Sequence, residues 1–314
     1  MKVINLQHPH HMSKENLPET VCAIGFFDGI HLGHQRVIKS AIQQAEEQKR
    51  ESAVISFHPH PVIVLSNGKK NIKYITPPDN KIKVLEHLGI DRLYLIEFDK
   101  KLSSLEPQQF IDYFIAGLNV KHLVAGFDFT YGFKGAGNMN NIAKFAKDRF
   151  TFTTIEKVTT ANEKISSTHI RELISQGQIQ AVNRLLGRRF ETSGTVIKGD
   201  QRGRTIGYPT ANLQVHPDAL LPKTGVYAVQ ATINDQSYFG MANLGFRPTF
   251  EKDQSRPLLE VHLFNMNENI YDAQLHIEWY KFIRSEKQFQ SVDQLIAQLN
   301  KDETFIRNYF KIKD

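Results

Sequence analysis

The sequence predicts two folds in one chain, an α/β layer followed by an all-β barrel, and three observations predict them. The first is length: 314 residues suit two domains of about 150 residues each. The second is an N-terminal alternation of short apolar runs with helix-period segments, the pattern of a parallel sheet wrapped by helices. The third is a change past about Leu186, where strand-like runs follow one another with Gly, Pro and Asn between them, as an antiparallel barrel requires. The chain is therefore read as a doubly wound, Rossmann-like α/β domain over residues 1–186 and an antiparallel β-barrel domain with a terminal helix over residues 187–314.

In the first domain, residues 21–27, 52–57, 92–96, 122–125 and 150–155 read as strands. Residues 35–49, 80–88, 107–118 and 141–147 read as helices, with Pro107 suited to a first helical turn. In the second domain, strands are expected at residues 191–197, 226–233, 237–243, 258–264 and 274–280. A helix over residues 292–299 is opened by Ser291 and Gln294 at capping-box spacing, and a second helical stretch runs through Phe305 and Tyr309.

Composition narrows the function classes. Hydrophobic residues at 40% and charged residues at 23% exclude a collagenous, low-complexity or disordered chain. No stretch approaches the roughly 18 apolar residues of a membrane span, and residues 1–8 lack the apolar run of a signal peptide, so the cytoplasm is expected. The single cysteine, Cys22, lies in the apolar run from Val21 to Ile24 and reads as a buried thiol. Net charge is +6, and residues 1–186 hold 23 Lys and Arg against 18 Asp and Glu. Without a dense basic stripe interleaved with aromatics, that excess fits a phosphorylated small molecule, and neither a nucleic-acid nor a membrane partner is expected. Seven of the thirteen histidines fall in the first 60 residues. His8, His10 and His11 read as surface.

Ligands of a doubly wound sheet bind beyond the carboxyl ends of its strands, and the motifs follow strands. The first is Gly25-Phe26-Phe27-Asp28-Gly29-Ile30-His31-Leu32-Gly33-His34, which runs straight into a helix. His31 and His34 share one face of the helix start, while Gly29 and Gly33 let a phosphate chain approach backbone N–H groups. An imidazole there can donate to charge developing on phosphate. Ser56-Phe57-His58-Pro59-His60-Pro61 and Gly126-Phe127-Asp128-Phe129-Thr130-Tyr131-Gly132 open onto the same edge. Phe57, Phe127 and Phe129 offer flat apolar surface to a heteroaromatic ring, and Asp128 is a candidate partner for a hydroxyl or a metal-bound phosphate. His58 and His60 lack a third ligand at metal spacing. In Ile165-Ser166-Ser167-Thr168-His169-Ile170-Arg171, hydroxyls precede a helix that carries Arg171 in its first turn, a place unfavourable to a cation without a negative ligand.

The second domain carries Gly199, Gly203 and Gly207 in a loop suited to folding over phosphates, then Pro209-Thr210-Ala211-Asn212. Thr210 and Asn212 present two neutral oxygens fit for a hard cation such as Mg²⁺. In Leu259-Glu260-Val261-His262-Leu263-Phe264, Glu260 and His262 share one strand face and apolar residues fill the other. Trp279 reads as core.

Together these blocks resemble the bacterial bifunctional riboflavin kinase/FAD synthetase family over nearly the whole chain. The resemblance implies an adenylyltransferase half in which His31, His34 and Arg171 are catalytic and Gly25, Phe26, Asp28, Gly29, Gly33, Ser166, Ser167 and Thr168 hold ATP, with Phe26 standing where the family often has Asn. It implies flavin contacts from Phe57, His58, Pro59, Asp128, Phe129 and, in the block from Gly240 to Phe250, Arg247. It further implies a kinase half in which Glu260 is the base, Gly199, Gly203 and Arg204 bind ATP, and Thr210 and Asn212 hold Mg²⁺. Riboflavin, FMN, FAD and ATP are then the small-molecule partners. A tRNA-charging enzyme shares His-x-Gly-His but leaves the Pro-Thr-Ala-Asn block unexplained.

Overall fold

The structure, a computed structural model, describes residues 1–160, 163–199, 202–246 and 257–312. It divides into two compact units, Met1–Ser167 and Thr168–Asp314.

The first unit is built on six parallel strands: β1 (Lys2–Leu6), β2 (Thr20–Ile24), β3 (Glu51–His58), β4 (Arg92–Glu97), β5 (Val120–Gly126) and β6 (Thr151–Ile155), in the order β1-β4-β3-β2-β5-β6. Strand order reverses at β2, which pairs with β3 on one side and β5 on the other. All five residues of β2 are buried, as a central strand covered on both faces must be. Helix α1 (Leu32–Glu47) turns Val37, Ile38, Ala41 and Ala45 onto the sheet, the period of one helical face. Helix α2 (Pro78–His87) starts with Pro at its first position. The helix expected over residues 107–118 is regular only over Pro107–Phe110; Ile111–Ala116 widens into a π-helical turn, which buries Ile111, Phe114 and Ile115 together. His8 and His10 are not free surface groups either: both rings pack on Tyr113 and Phe114, while His11 is exposed.

The second unit takes up α3 (Ser167–Ser175) from Thr168 onward, continues with α4 (Ile179–Leu186), then closes a six-stranded antiparallel barrel. Its strands are β7 (Phe190–Ile197), β8 (Ala211–Val215), β9 (Gly225–Ile233), β10 (Gln236–Gly245), β11 (Leu258–Leu263) and β12 (Gln274–Arg284), in the order β7-β8-β11-β10-β9-β12. Trp279 fills the core as expected, its indole N–H donating to Thr192 Oγ1 at 2.8 Å. Asn183 of α4 ties helix to barrel, donating to the Trp279 carbonyl at 2.8 Å and accepting the Phe190 N–H at 2.7 Å. The two helical stretches expected at the C-terminus are one helix, α5 (Val292–Phe310), with Ser291 capping Gln294 N–H at 3.3 Å. It is held to the barrel by Asp302, which is buried and takes a two-pronged ion pair from Arg284.

Candidate active sites

Beyond Ile24, at the carboxyl end of β2, the chain enters a loop in which Phe27, Gly29 and Ile30 all have positive φ, at 52°, 85° and 40°. Successive residues of this kind turn backbone N–H groups to one side and make an anion-binding concavity. Asp28 does not face that opening alone: its buried carboxylate accepts the N–H groups of Ile75 and Thr76 at 3.3 and 3.1 Å, and the Ser167 hydroxyl donates to its carbonyl at 3.0 Å. The loop is therefore pinned from two distant segments of sequence.

His31 is the N-cap of α1, and its Nδ1 accepts the His34 N–H at 3.2 Å. That bond leaves the His31 proton on Nε2, free to donate. The two rings stack with centroids 3.6 Å apart and planes 15° apart. Gly33 lies close under this stack: a Cβ there would stand 3.2 Å from the His31 ring, which would have to give by a few tenths of an ångström. Burial lowers the His31 pKa to about 4 and pushes His34 well below the ordinary imidazole range, helped by the neighbouring His31 and Lys81 charges. Both rings are thus neutral donors at pH 7, and they meet as the sequence spacing predicts.

The loops after β3 and β5 open on the same sheet edge, since Ile24 is level with Ile55 and Ala125. Not all of their aromatics are available. Phe57 is buried in the core, edge-on to Phe98, because its strand position turns it inward beside Phe110; it offers no ring face to a ligand. Phe129 is half-buried and stacks on Tyr131 at 5.9 Å, while Phe127 and Asp128 are exposed. His58, next to Pro59, meets the Tyr74 hydroxyl, and His60 spends Nδ1 on capping Val62 N–H at 3.1 Å. Tyr74 and Lys81 were invisible as site residues in the sequence, where each sat among unremarkable neighbours. Thr168 and Arg171 follow Ser166 and Ser167 onto α3 and count with the second unit.

In the barrel, a cavity of about 490 Å³ is lined by Gly203, Thr210, Asn212, Asn243, Glu260 and His262, with Arg284, Glu286 and Leu295 among the residues of its far wall. Glu260 on β11 stands directly across from Asn212 on β8 and from Asn243 on β10, so three polar side chains lie abreast on one face. Alternate residues Leu259, Val261 and Leu263 are buried on the other face. Asn212 is buried, and its Oδ1 has no hydrogen-bond partner among the described residues. An orphaned neutral oxygen beside a carboxylate is a fitting ligand for a hard divalent cation, and the exposed Thr210 hydroxyl adds a second oxygen. Gly199 crosses so close to Asn212 that a Cβ would lie 2.2 Å from its amide nitrogen. His262 fixes the same segment, its ring Nδ1–H donating to the Pro209 carbonyl at 2.7 Å. Arg204 is exposed with its guanidinium 6.0 Å from the Tyr271 ring, outside the cavity lining. Arg247, expected to contact flavin, lies outside the described residues.

Comparison with known proteins bears on both units. Residues 13–169 match the FAD synthetase family model and residues 186–310 the riboflavin kinase model. A Listeria monocytogenes protein named bifunctional riboflavin kinase/FMN adenylyltransferase is 47% identical over 315 residues, with 100% of both chains covered. Its namesake from Bacillus subtilis is 47% identical over 311 residues, covering 99% of this chain and 98% of that one. A crystal structure described as a macrolide-efflux protein from Streptococcus pneumoniae superimposes with a TM-score of 0.87 at 33% identity, covering 98% of this chain and 99% of that one. No helix among the described residues is long and apolar enough to cross a membrane. Two family models matched in order, full-length relatives near half identity, and the His pair and Glu260 strand standing where their motifs predict lead to one assignment: the chain belongs to the bifunctional riboflavin kinase/FMN adenylyltransferase family.

Proposed function

We propose that the two activities are divided along the chain: residues 187–314 phosphorylate riboflavin to FMN, and residues 1–186 join FMN to AMP from ATP, releasing pyrophosphate. The observation that carries this division is that Glu260, Thr210 and Asn212 share one cavity whose lining, among the described residues, comes from residues 203–299.

In the kinase reaction the ribityl 5′-hydroxyl attacks the γ-phosphorus of ATP and gives its proton to Glu260 as the new P–O bond forms, while the β–γ bridging P–O bond breaks and ADP leaves. Asn243 and Asn212 flank Glu260 on the two neighbouring strands. Mg²⁺ held by Thr210 and Asn212 would neutralise charge on the transferring phosphate. In the adenylyl transfer an FMN phosphate oxygen attacks the α-phosphorus in line, and the α–β bridging bond breaks. A phosphate is already a nucleophile at neutral pH, so this unit needs no general base. Its residues bind and orient instead: the positive-φ loop receives phosphate oxygens, and the neutral His31 and His34 donate to charge that grows on them.

A fragment from Thr168 to Asp314 should fold and make FMN but no FAD. Product analysis with riboflavin, ATP and Mg²⁺ checks this, and FAD from that fragment would refute the division. A shorter fragment from Phe190 should melt earlier, because it loses Asn183 and leaves the Phe190 N–H and the Trp279 carbonyl without their buried partner.

A further inference from the structure

Lysine is almost never fully buried unless its charge is paired. Lys81 is 4% exposed, and among the described residues no carboxylate lies within ion-pair distance of it. Its position is doubly adverse, since it sits in the first turn of α2, where the helix dipole opposes a cation. What holds it is neutral. The ammonium donates to the Phe26 carbonyl at 2.7 Å and to Ser56 Oγ at 3.1 Å, and lies 4.5 Å from the centroid of the Phe26 ring. Ser56 closes the triangle by donating to the same carbonyl at 2.9 Å. Phe26 opens the loop whose positive-φ residues follow at once, so the carbonyl that Lys81 grips is the hinge from which the N–H groups of Phe27 to Ile30 are aimed.

Resting on the assignment of adenylyl transfer to this loop, we propose that Lys81 is a positioning residue for that reaction: through the Phe26 carbonyl it holds the phosphate-receiving loop in shape, and its charge is completed by the polyphosphate of ATP. The neutral hydrogen-bond partners explain why a cation is kept there at a cost in desolvation, for an arriving anion adds the direct ion pair that Lys81 lacks among the described residues. Two titratable groups face it besides: Asp28 from the same loop, which favours the ammonium, and His34 from α1, held neutral in part by it. Desolvation outweighs Asp28 and lowers the Lys81 pKa to about 8. The charged form therefore dominates at neutral pH and is lost as pH rises through that value.

The test is Lys81→Met in the full chain, assayed for FAD formation across pH with His31→Ala in parallel. The expected result is a fall of about 10- to 100-fold in kcat/KM for ATP, with riboflavin phosphorylation unchanged. Wild-type kcat/KM should decline above about pH 8. In kcat that limb should move to higher pH, because bound phosphates retain the proton, and Lys81→Met should lack it altogether. A variant within about threefold of wild type, or one that keeps the alkaline limb, overturns the proposal. If Lys81→Met does not melt cooperatively, the wild-type profile decides: a kcat/KM flat from about pH 7 to 9 overturns it. Loss on His31→Ala without loss on Lys81→Met removes Lys81 alone, whereas intact FAD formation in both removes the site.

Discussion

His31→Ala and His34→Ala should each slow conversion of FMN to FAD by roughly 10² to 10³, the range for removing a donor aimed at transition-state charge. The geometry makes the effects unequal in origin. His31 supplies the free Nε2–H and also accepts the His34 N–H as helix cap, so its loss costs a donor and some order at the start of α1. His34 contributes a ring stacked on His31 at 3.6 Å and no cap. Because burial keeps both rings neutral at pH 7, the loss should be the same wherever between about pH 6 and 8 it is measured. The assay is FAD formation at saturating FMN and ATP, with riboflavin phosphorylation as a control. Equal losses in both reactions would indicate a shared site or collapse of the chain, and no loss in either would reduce the pair to a helix start.

Glu260→Gln should cut FMN formation by about 100-fold or more, the usual worth of a general base, while FAD synthesis from supplied FMN survives. The amide preserves shape and the cross-strand positions opposite Asn212 and Asn243, so barrel stability should change little. The same variant should lose kcat rather than raise KM, since proton acceptance is needed only as the bond forms. Kinase turnover within a few-fold of wild type would make Glu260 a wall of the cavity and not its base.

Both sites were legible where chemistry follows a strand end. Gly25 to His34 and Leu259 to Phe264 combine a strand period with residue types that packing does not require, and there the reading of spacing and face held. The parallel sheet was legible because strands such as Thr20–Ile24 are nearly continuous apolar runs. What escaped has physical reasons. The edge strand β1 exposes Lys2, Val3 and Asn5, so it has neither a buried run nor clean alternation. Strand β8 begins inside Pro209 to Asn212, where turn chemistry and motif masked it. Phe57 read as a ligand surface because its motif is aromatic, but only the pleat decides which side of the sheet a ring takes. Lys81 was missed for the opposite reason, as a lysine in a helix reads as solvated and nothing local marks it as buried.

The burial of Cys22 turns the chain into its own stability gauge. It is the single cysteine in 314 residues, wholly enclosed in the middle of β2 between β3 and β5. Enclosure also raises its pKa, so the native thiol is neither reachable nor nucleophilic. A thiol reagent can react only through molecules in which the central sheet has opened, and its labelling rate then measures that opening in the first unit while the cysteine-free barrel stays silent. A ligand seated in the adenylyl site slows labelling by mass action in proportion to its occupancy, and one confined to the barrel does not. The adenylyl half of a two-reaction enzyme can thus be titrated for binding without running either reaction.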